Sequence, residues 1–204
     1  MHTAKQIDRL WKQARYIQLF NGLTMGRLEA DFGGHLQASR PAIAAAAMAI
    51  IRLDELAQPN AAVYPGLLRV LLGAQESDGG WGEPMLTALC VRALLSNGGN
   101  GGAAIHNGLT YLANLQQETG IWPRVPIRRF AADPLASVFI LSQLGHEPQF
   151  REAVHFAAAA DWFAGHSSVL DQQTRKLWTR VESRTTRWQR QSPASAQRLA
   201  TLWT

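Results

Sequence analysis

Cysteine is nearly absent from the chain, since Cys90 is the only one among 204 residues. A single cysteine excludes a disulfide framework and the zinc sites that are built from several cysteines. It also agrees with a reducing compartment, so a cytoplasmic protein without a metal ion or other cofactor is expected.

Long apolar runs are missing as well. No stretch reaches about 18 uninterrupted apolar residues, the length typical of a membrane-spanning helix. The polar residues 1–8 contain no apolar region followed by a cleavage site, so no signal peptide is expected. These two absences argue against a spanning helix and against export.

Alternating β-branched runs bounded by hairpin turns are also lacking, whereas apolar residues recur at helical spacing almost throughout. The pattern therefore predicts an all-α fold. Prolines mark the starts of several predicted helices, because proline fits the first turn of a helix but not its interior. The helices expected from these signals cover residues 4–20, 41–56, 65–74, 84–95, 103–116, 134–145, 148–164 and 168–190.

Acidic residues are scarce near the C-terminal end. Residues 171–204 contain seven basic and two acidic side chains, so they carry all of the formal net charge of +5. Residues 1–170 are balanced between the two signs. The basic character thus belongs to a helical extension, residues 168–204, and not to the helical-repeat body, residues 1–167. This division argues against a nucleic-acid-binding core.

What the chain does contain is a repeated motif. Residues 75–81 and 116–122 both read Gln-x-x-x-Gly-x-Trp, and equivalent positions lie 41 residues apart. That spacing is typical of two-helix repeats. A degenerate third copy, residues 29–35, has Glu29 in the glutamine position and His35 in the tryptophan position. The copies predict helical hairpins, each closed by a turn in which glycine permits a positive φ and tryptophan covers the hairpin end.

The two strong copies resemble the QW repeats of squalene–hopene and oxidosqualene cyclases, and the flanking pattern is similar to the repeats of protein prenyltransferase β subunits. The resemblance covers roughly residues 20–165. It implies an α/α toroid, in which inner and outer helices alternate around a cavity for an apolar, isoprenoid- or polyketide-like substrate. A chain of this length is too short to close such a ring alone. A partial arc, a reduced barrel and half of a homodimeric ring are the forms expected.

The acid of these cyclases has no full counterpart in this chain. Their proton donor is the middle aspartate of an Asp-x-Asp-Asp-Thr-Ala motif, and Ala132 stands in that position, followed by Asp133 in the position of the last aspartate. Protonation of an alkene needs an unusually strong acid, which the sequence does not contain. Asp133 also suits a helix cap before Pro134. The zinc of the prenyltransferases is not expected, because no aspartate lies two residues before Cys90.

The candidate site residues are polar and aromatic side chains near the predicted cavity. The candidates for acid–base help are Asp133, Asp161, Glu29 and His35. The candidates for substrate contact are Trp81, Trp122, Arg124, Arg128 and Trp162. The alternative is that the tryptophans pack the hairpin ends, the arginines lie in a solvated loop, the aspartates cap or face solvent, and the first copy is a decayed edge repeat.

Two functions follow from these observations. The resemblance implies a small terpenoid-cyclase-like protein, a cyclase or isomerase that shapes an apolar substrate and gives mild acid–base help. The alternative is a non-catalytic helical-repeat scaffold for a protein or peptide partner. The basic extension has three interpretations: it lies on an anionic membrane, contacts nucleic acid, or packs on the helical body. Nucleic acid is the least expected of these partners.

Overall fold

The computed structural model describes residues 40–57, 62–96, 98 and 101–189, and in the last helix it describes side chains as far as Arg184. These residues form helices and no β-strand, which confirms the all-α prediction. None of the described helices is both long and apolar enough to cross a bilayer. The helices are α1 (Arg40–Glu55), α2 (Tyr64–Gly73), α3 (Pro84–Ser96), α4 (Gly102–Leu115), α5 (Pro134–Leu144), α6 (Pro148–Ala153), α7 (Phe156–His166) and α8 (Gln172–Gln189).

Proline sets the start of several helices. Pro65, Pro84, Pro134 and Pro148 each occupy the first or second position of a helix, where the missing N–H costs no hydrogen bond. The bounds of the first five described helices, α1 to α5, differ from the predicted bounds by no more than one residue. The predicted helix over residues 4–20 lies outside the described part of the chain.

One predicted helix is two helices in the structure. The sequence predicts a continuous helix over residues 148–164, but α6 ends at Ala153 and α7 begins at Phe156. The interruption follows from Gln116, whose Oε1 accepts the N–H of His155 and whose Nε2 donates to the carbonyl oxygen of His155. Because both backbone groups of His155 bond to this side chain, the residue leaves the helical path, with φ −76° and ψ 67°.

Four of the described helices pack into a row. In this row α1, α3, α5 and α8 lie side by side in that order, while α2 packs on α1, α4 on α3, and α6 on α4. Because α3 and α5 have neighbours on both sides, most of their circumference is buried. In α1, Ala46 and Ala47 are buried, and their small side chains let neighbouring helices approach closely.

Helix α8 continues the row of α1, α3 and α5. Thr174, Trp178 and Val181 are buried at helical spacing, and the Trp178 ring stacks on Phe163 of α7 with the ring centroids 4.8 Å apart. The extension predicted from residue 168 onward is therefore packed on the helical body over its described residues. Its exposed basic side chains lie outside this buried stripe, at Arg175, Lys176, Arg180 and Arg184.

Candidate functional site

The two strong motif copies form the same hydrogen-bonded turn. In the first copy, Gln75 Nε2 donates to the carbonyl oxygens of Gly79, at 2.8 Å, and of Ala104, at 2.9 Å. In the second copy, Gln116 Nε2 donates to the carbonyl oxygen of Gly120 at 2.7 Å, in addition to its bonds with His155. Each glutamine thus closes its own turn and holds the start of a helix that follows, α4 in one case and α7 in the other.

The tryptophans of the motif lie inside the protein. Trp81 is 1% exposed and Trp122 is 0% exposed. Their indole N–H groups donate to the carbonyl oxygens of Leu71, at 2.8 Å, and Leu112, at 2.7 Å, which are themselves 41 residues apart. Both indoles are therefore packed in the core, and each makes one hydrogen bond to the backbone. The sequence predicts both as substrate contacts, but neither ring is exposed at the surface.

Two glycines complete these turns. Gly79 has φ +88° and Gly120 has φ +86°, a region that side chains other than glycine rarely adopt. A Cβ atom at Gly120 would lie 2.3 Å from the backbone nitrogen of Ala159 in α7, and one at Gly79 would lie 2.6 Å from the carbonyl oxygen of Asn107 in α4. The glycines are required both for the turn and for the close approach of the helix that packs on it.

The described residues form a surface pocket of about 550 Å³ where the N-terminal ends of α5 and α8 meet the end of α7. It brings together Asp133 and Trp162, which the sequence predicts as site residues, with His166 and Asp171, which it does not. We call it the Asp133 pocket, and its lining consists of residues 132–135, Trp162, His166 and residues 169–171.

Asp133 is the N-cap of α5. Its Oδ1 accepts the backbone N–H of Ala136 at 2.9 Å, and its own N–H donates to the carbonyl oxygen of Trp122 at 2.8 Å. Ala132, which lies in the position of the cyclase proton donor, lines the same pocket without an acidic group. The carboxylate therefore has a structural task at the edge of the pocket, as the cap interpretation predicts.

His166 is the imidazole of this pocket. Its Nδ1 lies 2.8 Å from the carbonyl oxygen of Trp162, and its ring stacks on the indole of Trp162 with the centroids 4.3 Å apart and the planes 8° from parallel. A neutral imidazole donates Nδ1–H to that carbonyl, which leaves the Nε2 lone pair as an acceptor. The spacing of four residues between Trp162 and His166 on one helix is the sequence signal for this pair.

Asp171 caps the start of α8. Its Oδ1 accepts the N–H groups of Gln173, at 2.8 Å, and Thr174, at 3.0 Å, and its Oδ2 accepts the hydroxyl of Thr174. The Thr174 hydroxyl and these N–H groups lower the pKa of Asp171 below its ordinary value of 3.8. The group is therefore ionised at neutral pH and serves as a hydrogen-bond acceptor, not as a proton donor.

The other predicted site residues lie outside the Asp133 pocket or outside the described residues. Asp161 is exposed on α7, and Arg124 and Arg128 are exposed in the loop before α5. None of these three lines the pocket. Glu29 and His35 belong to residues 1–39, which the structure does not describe.

Two further polar clusters lie away from the Asp133 pocket. In one, Arg92 of α3 contacts His146, and His146 Nε2 lies 2.8 Å from Glu147 Oε1, which lowers the pKa of Glu147. In the other, His106 and Glu152 line a pocket of about 430 Å³ between α4 and α6. Across the residues with described placement, no three His, Cys, Asp or Glu side chains converge as metal ligands.

Over its described residues the protein is all-α, with two glutamine–glycine–tryptophan turns that share the same pattern of hydrogen bonds. Comparison of the chain with protein-family models, curated proteins and solved structures found no match. The resemblance to the QW-repeat cyclases therefore rests on residues 75–81 and 116–122 and on the pattern that flanks them.

Proposed function

We propose that the chain is a small terpenoid-cyclase-like helical-repeat protein and that it binds an apolar, isoprenoid- or polyketide-like molecule in the Asp133 pocket. The observation that carries the proposal is the lining of this pocket. Its volume of about 550 Å³ falls in the usual range of small-molecule sites, and Trp162, Leu135 and Leu170 supply apolar surface beside a few polar groups. The row of α1, α3, α5 and α8, with α2 packed on α1 and α4 on α3, supports a partial α/α toroid as the wider architecture.

The side chains of the Asp133 pocket suit weak acid–base catalysis better than catalysis by a strong acid. His166 Nε2 accepts a proton or a hydrogen bond, because its Nδ1–H is bonded to Trp162. Asp171 is ionised and Asp133 holds the N-terminus of α5, so neither carboxylate suits the protonation of an alkene. The proposed reaction is a cyclisation or isomerisation in which the pocket shapes the substrate and His166 acts as a mild base.

Binding of prenyl alcohols tests this proposal. Val169 is largely exposed and lines the pocket, so Val169→Asp places a charge in the site without disturbing the core. Burying that charge against an apolar ligand is expected to weaken farnesol or geranylgeraniol binding at least tenfold, roughly the cost of 1.4 kcal/mol. Met48→Asp, on an exposed position of α1, is the matched control and should bind as the unchanged chain does.

Titration calorimetry and native mass spectrometry supply the measurements. Mass spectrometry of the purified chain also reveals any lipid that is carried along from the cell. A chain that stays empty when both alcohols are offered contradicts the proposal, and so does equal binding by the two variants.

A second candidate function is a non-catalytic scaffold for a protein or peptide. One observation favours it: the motif glutamines and tryptophans, together with the two pocket carboxylates, are all bonded to the protein's own backbone. If the chain is such a scaffold, Val169→Asp leaves the affinity for the partner unchanged, and no prenyl compound binds. The same titration therefore separates the two functions.

A further inference from the structure

The loop before α5 exposes apolar and cationic side chains together. Val125, Ile127 and Phe130 are 36%, 40% and 53% exposed, and they are three of the six large apolar side chains exposed among the described residues. The arginines of the same loop are exposed too, and no acidic residue lies within residues 123–132. We call residues 124–130 the arginine loop, and its arginines are Arg124, Arg128 and Arg129.

The base of the arginine loop is closed by backbone bonds. Pro123 and Ala132 form an isolated antiparallel bridge, and next to it the N–H of Asp133 donates to the carbonyl oxygen of Trp122 at 2.8 Å. Trp122 is fully buried, so the loop leaves and returns to the protein at a fixed point of the core.

Internal bonds hold the arginine loop in shape. Gln117 Nε2 donates to the carbonyl oxygens of Arg128, at 2.7 Å, and Phe130, at 2.6 Å. The N–H of Ile127 donates to the carbonyl oxygen of Val125, and the N–H of Phe130 donates to that of Ile127. The exposure of the apolar side chains is therefore imposed by the backbone, because a loop tied in this way does not turn them inward without breaking bonds.

We propose that the arginine loop docks the protein on the surface of an anionic lipid bilayer. Arginines at the headgroup level pair with lipid phosphates, while Phe130, Ile127 and Val125 enter the boundary of the acyl chains. The three positive charges of the loop, with no acidic residue among residues 123–132, match the negative potential of such a surface. This docking does not depend on the ligand proposed for the Asp133 pocket.

The geometry favours a bilayer over a protein partner. Every residue of the arginine loop is exposed, so it offers a projecting surface and no groove for a helix or a strand. Strand addition is disfavoured further because the carbonyl groups of Arg128 and Phe130 are already bonded to Gln117. Helix α8 differs from the loop, since Trp178 and Val181 are buried in the protein and none of its described large apolar side chains is exposed.

Co-sedimentation with vesicles tests the proposal on the full chain. Vesicles of equal parts phosphatidylcholine and phosphatidylserine are compared with vesicles of phosphatidylcholine alone, and binding is expected to the anionic vesicles. The double variant Ile127→Ser and Phe130→Ser should bind at least about tenfold more weakly, because it removes the inserting side chains. The triple variant Arg124→Gln, Arg128→Gln and Arg129→Gln should lose about fivefold per arginine.

A matched charge variant separates the loop from general attraction by the basic side of α8. The triple variant Lys176→Gln, Arg180→Gln and Arg184→Gln removes the same charge from exposed positions of α8 and should weaken binding by less than about threefold. Thermal unfolding checks that all three variants fold. An equal loss from the α8 variant and the loop variant overturns the proposal.

A probe in the loop tests insertion directly. Phe130→Cys is labelled with an environment-sensitive fluorophore, and Cys90 stays unlabelled because it is buried and its burial raises the pKa of its thiol. The expected result is a blue shift and a stronger emission when anionic vesicles are added, while the same label on Met48→Cys, in α1, stays unchanged. Binding of the full chain to acidic proteins but not to these vesicles overturns the proposal, as does an unshifted probe on vesicles that bind the protein.

Discussion

A single glutamine decides the local structure of residues far from it in the chain. Gln116 is 2% exposed, and its amide serves three backbone groups in two segments, the carbonyl of Gly120 and both backbone groups of His155. A buried amide with all these partners stabilises the fold mainly because its loss leaves the partners unsatisfied. At the scale of the residue, the repeated motif therefore acts as a clamp between one hairpin and the next.

Removing this clamp is expected to be costly. Gln116→Ala leaves the N–H of His155 and the carbonyl of Gly120 without partners inside the protein, so the free energy of unfolding should fall by about 3 kcal/mol. Gln117→Ala is the control, because the Gln117 side chain is more exposed and bonds only to carbonyl groups of the arginine loop; its loss should cost about 1 kcal/mol or less. Urea unfolding of the two variants gives both values, and equal losses would contradict the clamp.

Nearby residues set the bounds of some helices, and a distant residue sets the break between two others. The bounds of α1 to α5 follow from nearby signals, such as the prolines that open α3 and α5, and they are predictable from the sequence to within one residue. The break between α6 and α7 is not predictable in this way, because the side chain that causes it lies 39 residues upstream.

The candidate site also combines residues that the sequence predicts with residues that only the folded structure brings in. Asp133 and Trp162 are recognisable from the sequence, one as the residue before a helix-starting proline and the other as an aromatic residue near the end of an apolar helix. His166 lies four residues after Trp162 on α7, a spacing that the sequence shows. Asp171, in contrast, joins Asp133 only because the N-terminal ends of α5 and α8 meet in the folded chain. A contact between two elements of a row is a property of packing, and no local pattern reports it.

The stability that the Asp171 cap gives to helix α8 depends on pH. Because the native pKa of Asp171 lies below 3.8, the cap stabilises α8 fully above that pH, and the stabilisation is lost as the pH falls toward the native pKa. Asp171→Asn should therefore be less stable than the unchanged chain at neutral pH, and the difference should shrink below about pH 3.8.

Urea unfolding midpoints measured across the acid range test this prediction. Thr174→Val removes the hydroxyl that contributes most to the low pKa of Asp171 and keeps the volume of the buried side chain. It should reproduce most of the change in acid dependence. A constant difference between Asp171→Asn and the unchanged chain at every pH would show that the cap contributes through packing alone.

At the scale of the whole molecule, the candidate site forms where the start of α5, the end of α7 and the segment before α8 come together. Leu170 and Asp171, which directly precede α8, line the pocket together with Asp133 and Pro134 at the start of α5. The basic helix is thus part of the structure that holds the pocket, and its exposed charges are a second, separate property.

Removing the contact between α8 and α7 should therefore lower the stability of the helical body as well as that of the extension. Trp178→Ala removes a buried ring that stacks on Phe163, and the free energy of unfolding is expected to fall by about 4 kcal/mol. Arg180→Ala, on the exposed side of the same helix, should change it by less than about 0.5 kcal/mol. Thermal and urea unfolding measure both effects, and a small loss from Trp178→Ala would mean that α8 is only loosely attached.

Binding of an apolar molecule in the Asp133 pocket is tested most directly by photo-crosslinking. A farnesol analogue carrying a diazirine is irradiated with the full chain, and the labelled peptides are identified by mass spectrometry. The account predicts labels within residues 132–135 and 162–171, which excess farnesol suppresses and which Val169→Asp reduces. Labels that fall elsewhere, or that excess farnesol does not suppress, would contradict it.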